Sequence, residues 1–299
     1  MAIFNNTLDD LVEITLATIM PPESWFEGTA TSGSTSTVAD TVNRTEADDY
    51  FNSMPHSEVY IRTTTDSAAP IRERRDISGF ANTGGVVTIS PVFSAVVGAG
   101  DVYAILTEYP WAEVKRAINM AIDKAKSDGL LIEKIDETVE LVAANYDYLI
   151  PTGFMYIYRV TMADGDGNFL QPVPPNQWHI IRGTSTPTLR LDVFSDEQKH
   201  TGHYYGQTWA ESSLTDGRLL RIEGYGAQPR LDNDTDICKL SPEYVCYQAA
   251  TYLHSRRIKR AESDPDEHAT QASLCSTFAR AALSQSRTQF PPDCRRVEA

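Results

Sequence analysis

A chain of 299 residues is longer than one compact core usually carries, so two or three domains are expected. Apolar residues make up 41% and charged residues 22%, a balance that excludes wholesale disorder. The net charge of −15 disfavours sequence-specific nucleic-acid binding, because phosphates are held through Lys and Arg; it is compatible with DNA that merely slides past an acidic wall.

Residues 7–20 have helical period, with Leu8, Leu11, Val12, Thr15, Leu16 and Ile19 on one face and Thr7 as the cap. Asp9, Asp10 and Glu13 interrupt the apolar residues and no basic region precedes them, so no signal peptide is expected. Nowhere is there a run of about 18 apolar residues, so no membrane span is expected.

The stretch Gly28–Thr41 is almost all small and hydroxylated. Composition alone reads as a linker. The strands that follow (57–65, 72–93 with a turn at Asn82, Gly84 and Gly85, and 98–106) need a first partner, so the stretch is read as an edge strand or hairpin. It opens a small β-barrel domain over 23–108, after an N-terminal helix within 1–22. Its small side chains leave room for a close neighbour.

Pro110 and the Trp111, Val114, Ile118, Ala121, Ile122 and Ala125 stripe predict a helix over 111–128. Residues 130–144 fit either a strand pair or a second helix. Strong strand patterns at 153–162, 176–183, 187–194 and 217–226, with DGDGN (164–168) as a hairpin turn, predict an antiparallel β domain over 146–237. Ser241 and Pro242 open a helix to 260, and another covers 269–287. Residues 291–299 read as a flexible tail. The fold class is therefore α+β: a small N-terminal β-barrel, a central antiparallel β unit, and a helical bundle of 111–128, 241–260 and 269–287. The bundle forms a connector domain from 109–145 and 238–290.

Chemistry-bearing motifs are scarce. Asp164, Asp166 and Asn168 begin like a calcium loop, but position 12 is Pro175; Asp232, Asp234 and Asp236 reach Glu243 at position 12 yet place Ile237 where Gly is needed. A hairpin turn and a solvated acidic loop are the better readings. His200 and His203 sit in KHTGHYYGQTW without a completing ligand. Cys238, Cys246, Cys275 and Cys294 form no CxxC and read as free thiols. There is no GxSxG elbow, P-loop or dinucleotide fingerprint. No catalytic, cofactor or metal residue is assigned, and the chain is read as a non-enzyme. The candidates are interface residues. They are the dense basic cluster Arg72, Arg74 and Arg75, which suits an acidic neighbour, and the aromatic loop residues Tyr204, Tyr205 and Trp209. Two further basic pairs join them, Arg256 with Arg257 and Arg295 with Arg296.

Three places carry a family resemblance. The Ser/Thr-rich edge followed by ADDYFNSMPHSEVYIR, RRDISGF, VVTISPVF and GDVY resembles small β domains of phage virion proteins. The helix with AINMAI leads to YDYLIP and YIYRV. EYVCYQAATYLHSRR with ARAAL resembles the helical pair of head–tail connector (adaptor) proteins of tailed bacteriophages. The resemblance implies one subunit of a cyclic, twelve-fold homo-oligomer below the portal protein, assembled in the host cytoplasm into the virion. It implies contact with other neck or tail proteins and passing DNA, and no membrane. Ala249, Ala250, Ala279, Ala281 and Ala282 would let helices approach closely in the ring. The tail with Pro291, Pro292, Arg295 and Arg296 would order on docking to the portal, so its deletion would spare the fold. The barrel and the 153–226 β unit exceed the all-helical adaptors, which leaves another tail or capsid-bound virion protein open. The competing classes are a glycan- or receptor-binding module built on the aromatic loop, and a hydrolase with a site not evident from motifs.

Overall fold

The structure, a computed structural model, describes residues 4–19, 25–54, 56–142, 145–182, 186–192, 217–258 and 264–297. In chain order these form β1 (Asn6–Thr7), α1 (Leu8–Ile19), β2 (Trp25–Thr29), β3 (Ser32–Gly33), β4 (Thr37–Ala39), β5 (Glu58–Thr63), β6 (Arg74–Ala81), β7 (Val86–Ser90), β8 (Val102–Leu106) and α2 (Trp111–Ser127). There follow β9 (Ile132–Glu140), β10 (Asp147–Leu149), β11 (Phe154–Met162), β12 (Gln171–Pro172), β13 (Trp178–Ile181), β14 (Thr188–Leu191), β15 (Leu219–Gly226), β16 (Ile237–Cys238), α3 (Pro242–Arg257), α4 (Pro265–Ser286) and β17 (Arg295–Arg296). The protein is mixed α+β, and the strand pairs among the described residues are all antiparallel. No helix is long and apolar enough to cross a membrane, among the described residues.

The chain divides into two compact units, Met1–Lys124 with Arg230–Ser286, and Ala125–Pro229 with Arg287–Ala299. This replaces the five segments expected. The N-terminal helix is no separate piece, because α1 packs along α3 and buries its whole predicted face. Thr7 caps it as expected: its Oγ1 accepts the Asp10 N–H at 3.2 Å, and Asp10 Oδ2 accepts the Thr7 N–H at 2.9 Å, a reciprocal capping box. The expected bundle changes membership. α3 packs on α4 and on α1. α2 instead sets Trp111 against Tyr60 of β5, ring centroids 4.9 Å apart.

The first unit holds a seven-stranded sheet in the order β2-β8-β5-β6-β7-β4-β3. The expected closed barrel is not formed, since no ladder pairs β2 with β3. The two end strands are instead successive on the chain. Between them the Ala30 N–H donates to Asp101 O on the β8 side and the Thr31 N–H to Ala39 O on the β4 side, both at 2.8 Å. The hydroxylated stretch thus supplies both edges, as a bent strand and a hairpin. Its hydroxyls bond locally, Thr31 to Ala39 O at 3.1 Å and Ser34 with Thr37 at 2.8 Å. A Cβ on Gly28 would lie 2.5 Å from Asp40 Oδ2, so the close approach is real. Phe51, Val59, Ile61, Phe80, Val87 and Ile105 fill the core beneath.

The second unit resolves the ambiguous 130–144 stretch as strand β9. It lies at one edge of a five-stranded sheet with path β12-β11-β15-β9, and β17 pairs with β11. A three-stranded sheet, β10-β14-β13, contributes to the same core, centred on Ile157, Val160, Trp178, Leu189, Leu220 and Ile222. DGDGN is the expected turn, with Asp164 Oδ1 accepting the N–H groups of Asp166 and Asn168. The flexible tail is corrected: through residue 297 it is integral to this unit. Val297 is buried, and its N–H donates to Met155 O at 2.8 Å. Thr288 is buried and its Oγ1 accepts the Leu131 N–H at 2.9 Å. A ladder between segments so distant in sequence leaves no local periodic signal.

Candidate interaction surfaces

Five of the predicted interface arginines are committed inside their own units. Arg74 pairs with Asp234 and lies over the rings of Trp111 (3.8 Å) and Tyr60 (4.5 Å). Arg75 pairs with Glu73 at 2.6 Å and donates to Val92 O at 2.9 Å. Arg256 pairs with Glu113 at 3.2 Å. The buried Arg257 donates to Glu108 O and lies 4.6 Å from the Tyr109 ring centre. Arg295 donates to Trp178 O and Pro175 O and lies 4.3 Å from the Trp178 ring centre. Arg72 is exposed, at φ +63°, and no carboxylate pairs with it among the described residues, while Arg296 is exposed on β17. Tyr204, Tyr205, Trp209, His200 and His203 lie outside the described residues. The acidic 232–236 loop closes on itself, Asp236 Oδ2 accepting the Asp232 and Asn233 N–H groups at 2.7 and 2.8 Å.

Two surfaces the sequence did not single out stand exposed. The first is the outer face of α4. Its inner face, Ala272, Cys275, Ala279 and Ala282, is buried at 3- and 4-residue spacing. Ala249 and Ala250 of α3 are buried too. The alanines expected to pack between subunits are therefore spent within the protomer, except the exposed Ala281. The outer face carries Thr270, Ser273, Thr277 and the large apolar Leu274 (47% exposed); Phe278 (44% exposed) stands at its flank, with its ring centre 5.2 Å from that of Tyr247 on α3. From Ala269 to Ala279 there is no charged residue, in a chain where 22% of residues are charged.

The second is an aromatic row on the five-stranded sheet. β11 carries two bulges, where Met155 and Tyr158 are extra residues against β15. Such bulges re-aim side chains. They need glycine opposite: a Cβ on Gly224 would lie 2.1 Å from Tyr156 O and 2.8 Å from the Phe154 ring. The result brings Tyr156, Tyr158, Tyr225 and Phe290 together. Ring centroids are 4.4 Å apart for Tyr156–Phe290, 5.3 Å for Tyr158–Tyr225 and 5.6 Å for Tyr225–Phe290. The ladder registers align Glu133, Tyr225, Tyr156 and Arg296 across four strands. Of the predicted residues that are described, only Arg296 joins this row.

The Tyr158 hydroxyl donates to Glu133 Oε1 at 2.6 Å. Burial, then that carboxylate, raises the Tyr158 pKa above the ordinary phenol value. Burial raises Tyr225, helped by Glu133 and Cys294. Burial also pushes the Cys294 thiol up to about 11. The signal available in the sequence was the Tyr-x-Tyr of YIYRV and the GYG of 224–226, which only the bulge register unites.

No protein-family model matches the chain, and no curated protein matches it.

Proposed function

We propose that the protein is a structural component of a tailed-phage virion, one subunit of a homo-oligomeric ring in the head-to-tail neck, assembling and binding rather than catalysing. The carrying observation is the uncharged stretch of α4 from Ala269 to Ala279, with Leu274 on its outer face and Phe278 half-exposed at its flank, on an otherwise strongly acidic chain. Helix faces of this kind bury apolar area without desolvating charge, which is what a subunit contact needs. The sequence resemblance of the α3–α4 pair to adaptor helices supports the same reading. In it, the seven-stranded sheet corresponds to the small β domains of virion proteins. The acidic surplus, 41 Asp and Glu against 26 Lys and Arg, keeps passing DNA from sticking.

Native mass spectrometry of the purified protein, alone and with portal protein, tests this. A closed ring, or a monomer that becomes one on portal, is expected. Leu274→Glu with Phe278→Glu should leave a folded monomer in both conditions. A wild-type monomer indifferent to portal and to concentration would end the ring reading.

A further inference from the structure

The second unit repeats one arrangement, a guanidinium over an aromatic ring beside a carboxylate. Arg221 lies 4.1 Å from the Phe169 ring centre and pairs with Glu137 at 2.7 Å. The first unit uses it with Arg74 (Trp111, Tyr60 and Asp234), with Arg62 over Trp25 (5.6 Å) beside Glu27 at 2.6 Å and Glu13 at 2.7 Å, with Arg44 over Phe26 beside Glu46, and with Arg75 over Phe93 beside Glu73. The corner around Glu133 has the same two ingredients without the cation. Aromatic rings stand beside an exposed carboxylate, and no Lys or Arg pairs with Glu133 among the described residues. The cations nearest Glu133 are spent elsewhere: Arg221 on Glu137, Arg159 on Glu223 at 3.3 Å, and Lys134 on Thr152 O and the Phe154 ring; Arg296, the cation of the row, stands on β17, three strands away from Glu133.

We propose that the corner formed by Glu133, Tyr158, Tyr225, Tyr156 and Phe290 receives an arginine or lysine side chain of a protein partner. Aromatic faces attract a cation through their quadrupole, and a neighbouring carboxylate adds a charge-assisted hydrogen bond. The Tyr158 hydroxyl fixes Glu133 in place but brings no positive charge, so the site is built and lacks its counter-ion. Gly224 and the two bulges hold the rings in register, so the corner is preorganised. Of the other carboxylates of β9, Glu137 is taken by Arg221, and Asp136 and Glu140 against the single Lys134 favour a basic segment over an acidic one.

The test titrates full-length protein with N-acetylargininamide and, separately, with its neutral citrulline isostere and a methyl glucoside, following the aromatic ring resonances. Saturable shifts with the arginine compound alone are expected. Glu133→Gln should weaken binding at least tenfold, while Glu137→Gln should leave it unchanged. Equal shifts with the neutral isostere, shifts with the glucoside, an indifferent Glu133→Gln, or no shifts at all would each overturn the proposal. The titration reads binding in monomer or ring alike, so its outcome is separate from that of the ring test.

Discussion

Arg74 shows how a surface-looking residue becomes structural. In RERR it reads as a basic docking patch, yet Trp111, Tyr60 and Asp234 take up its guanidinium. Sequence spacing cannot show that partners 37 and 160 positions away converge on one side chain. Arg74→Ala should therefore cost the protein about 2 kcal/mol, the lost packing plus an Asp234 left without its cation. Urea titration of wild type and variant measures it; a difference below about 0.5 kcal/mol would mean the arginine is a free surface residue after all. His254 offers a second handle. It is buried, and its Nδ1 lies 3.0 Å from Nδ1 of His268, so one nitrogen donates and the other accepts. Burial, then His268, lowers its pKa to about 4 from 6.5. The folded state resists the proton that the unfolded chain takes up. Stability from this site is thus complete above about 6.5 and drains as pH falls towards 4, by an amount of order 3 kcal/mol. His254→Gln should flatten that part of the pH–stability curve. Equal curves for the two proteins over this window would remove the histidine pair as its cause.

Among the elements, those with strong local period were legible. α1 and α2 match their predicted faces because an apolar stripe repeats every three to four residues. The strands of both β regions also stood out. β9 did not, because its residue types do not follow its burial: Lys134 and Asp136 lie on the half-buried face, while Ile135 is 55% exposed. β17 was invisible for a different reason: two residues held by a distant strand carry no pattern of their own. Truncation after Gln289 puts this to a measurement. It removes Phe290 from the aromatic row, the buried Val297, and the ladder to β11. Loss of about 2–4 kcal/mol is expected from the apolar burial alone. A truncated protein as stable as wild type would return the segment to the status of a free arm. Gly224→Ala should act on the same sheet, because its Cβ would meet backbone at 2.1 Å. Loss of more than about 2 kcal/mol is expected, with the Tyr156 and Tyr225 ring signals displaced together. Unchanged ring signals would mean that the bulges do not depend on this glycine.

For the whole molecule, the ring proposed above would be decided by the balance between charge and apolar contact. Copies carrying −15 each repel one another, and the α4 face supplies a surface free of charge where they can meet. The repulsion is long-ranged at low ionic strength and is largely confined to about 8 Å at 0.15 M salt. The apolar contact is nearly indifferent to salt over that range. Ring formation should therefore strengthen as salt rises from about 0.01 to 0.15 M, by roughly tenfold or more in the assembly midpoint. Binding of a cationic side chain at the Glu133 corner should weaken over the same interval, since there the charges attract. Sedimentation velocity at the two salt concentrations separates the cases. An assembly that loosens as salt rises would be one held by opposite charges, and the contact would then have to be sought at the acidic β9 edge and its complement rather than on α4.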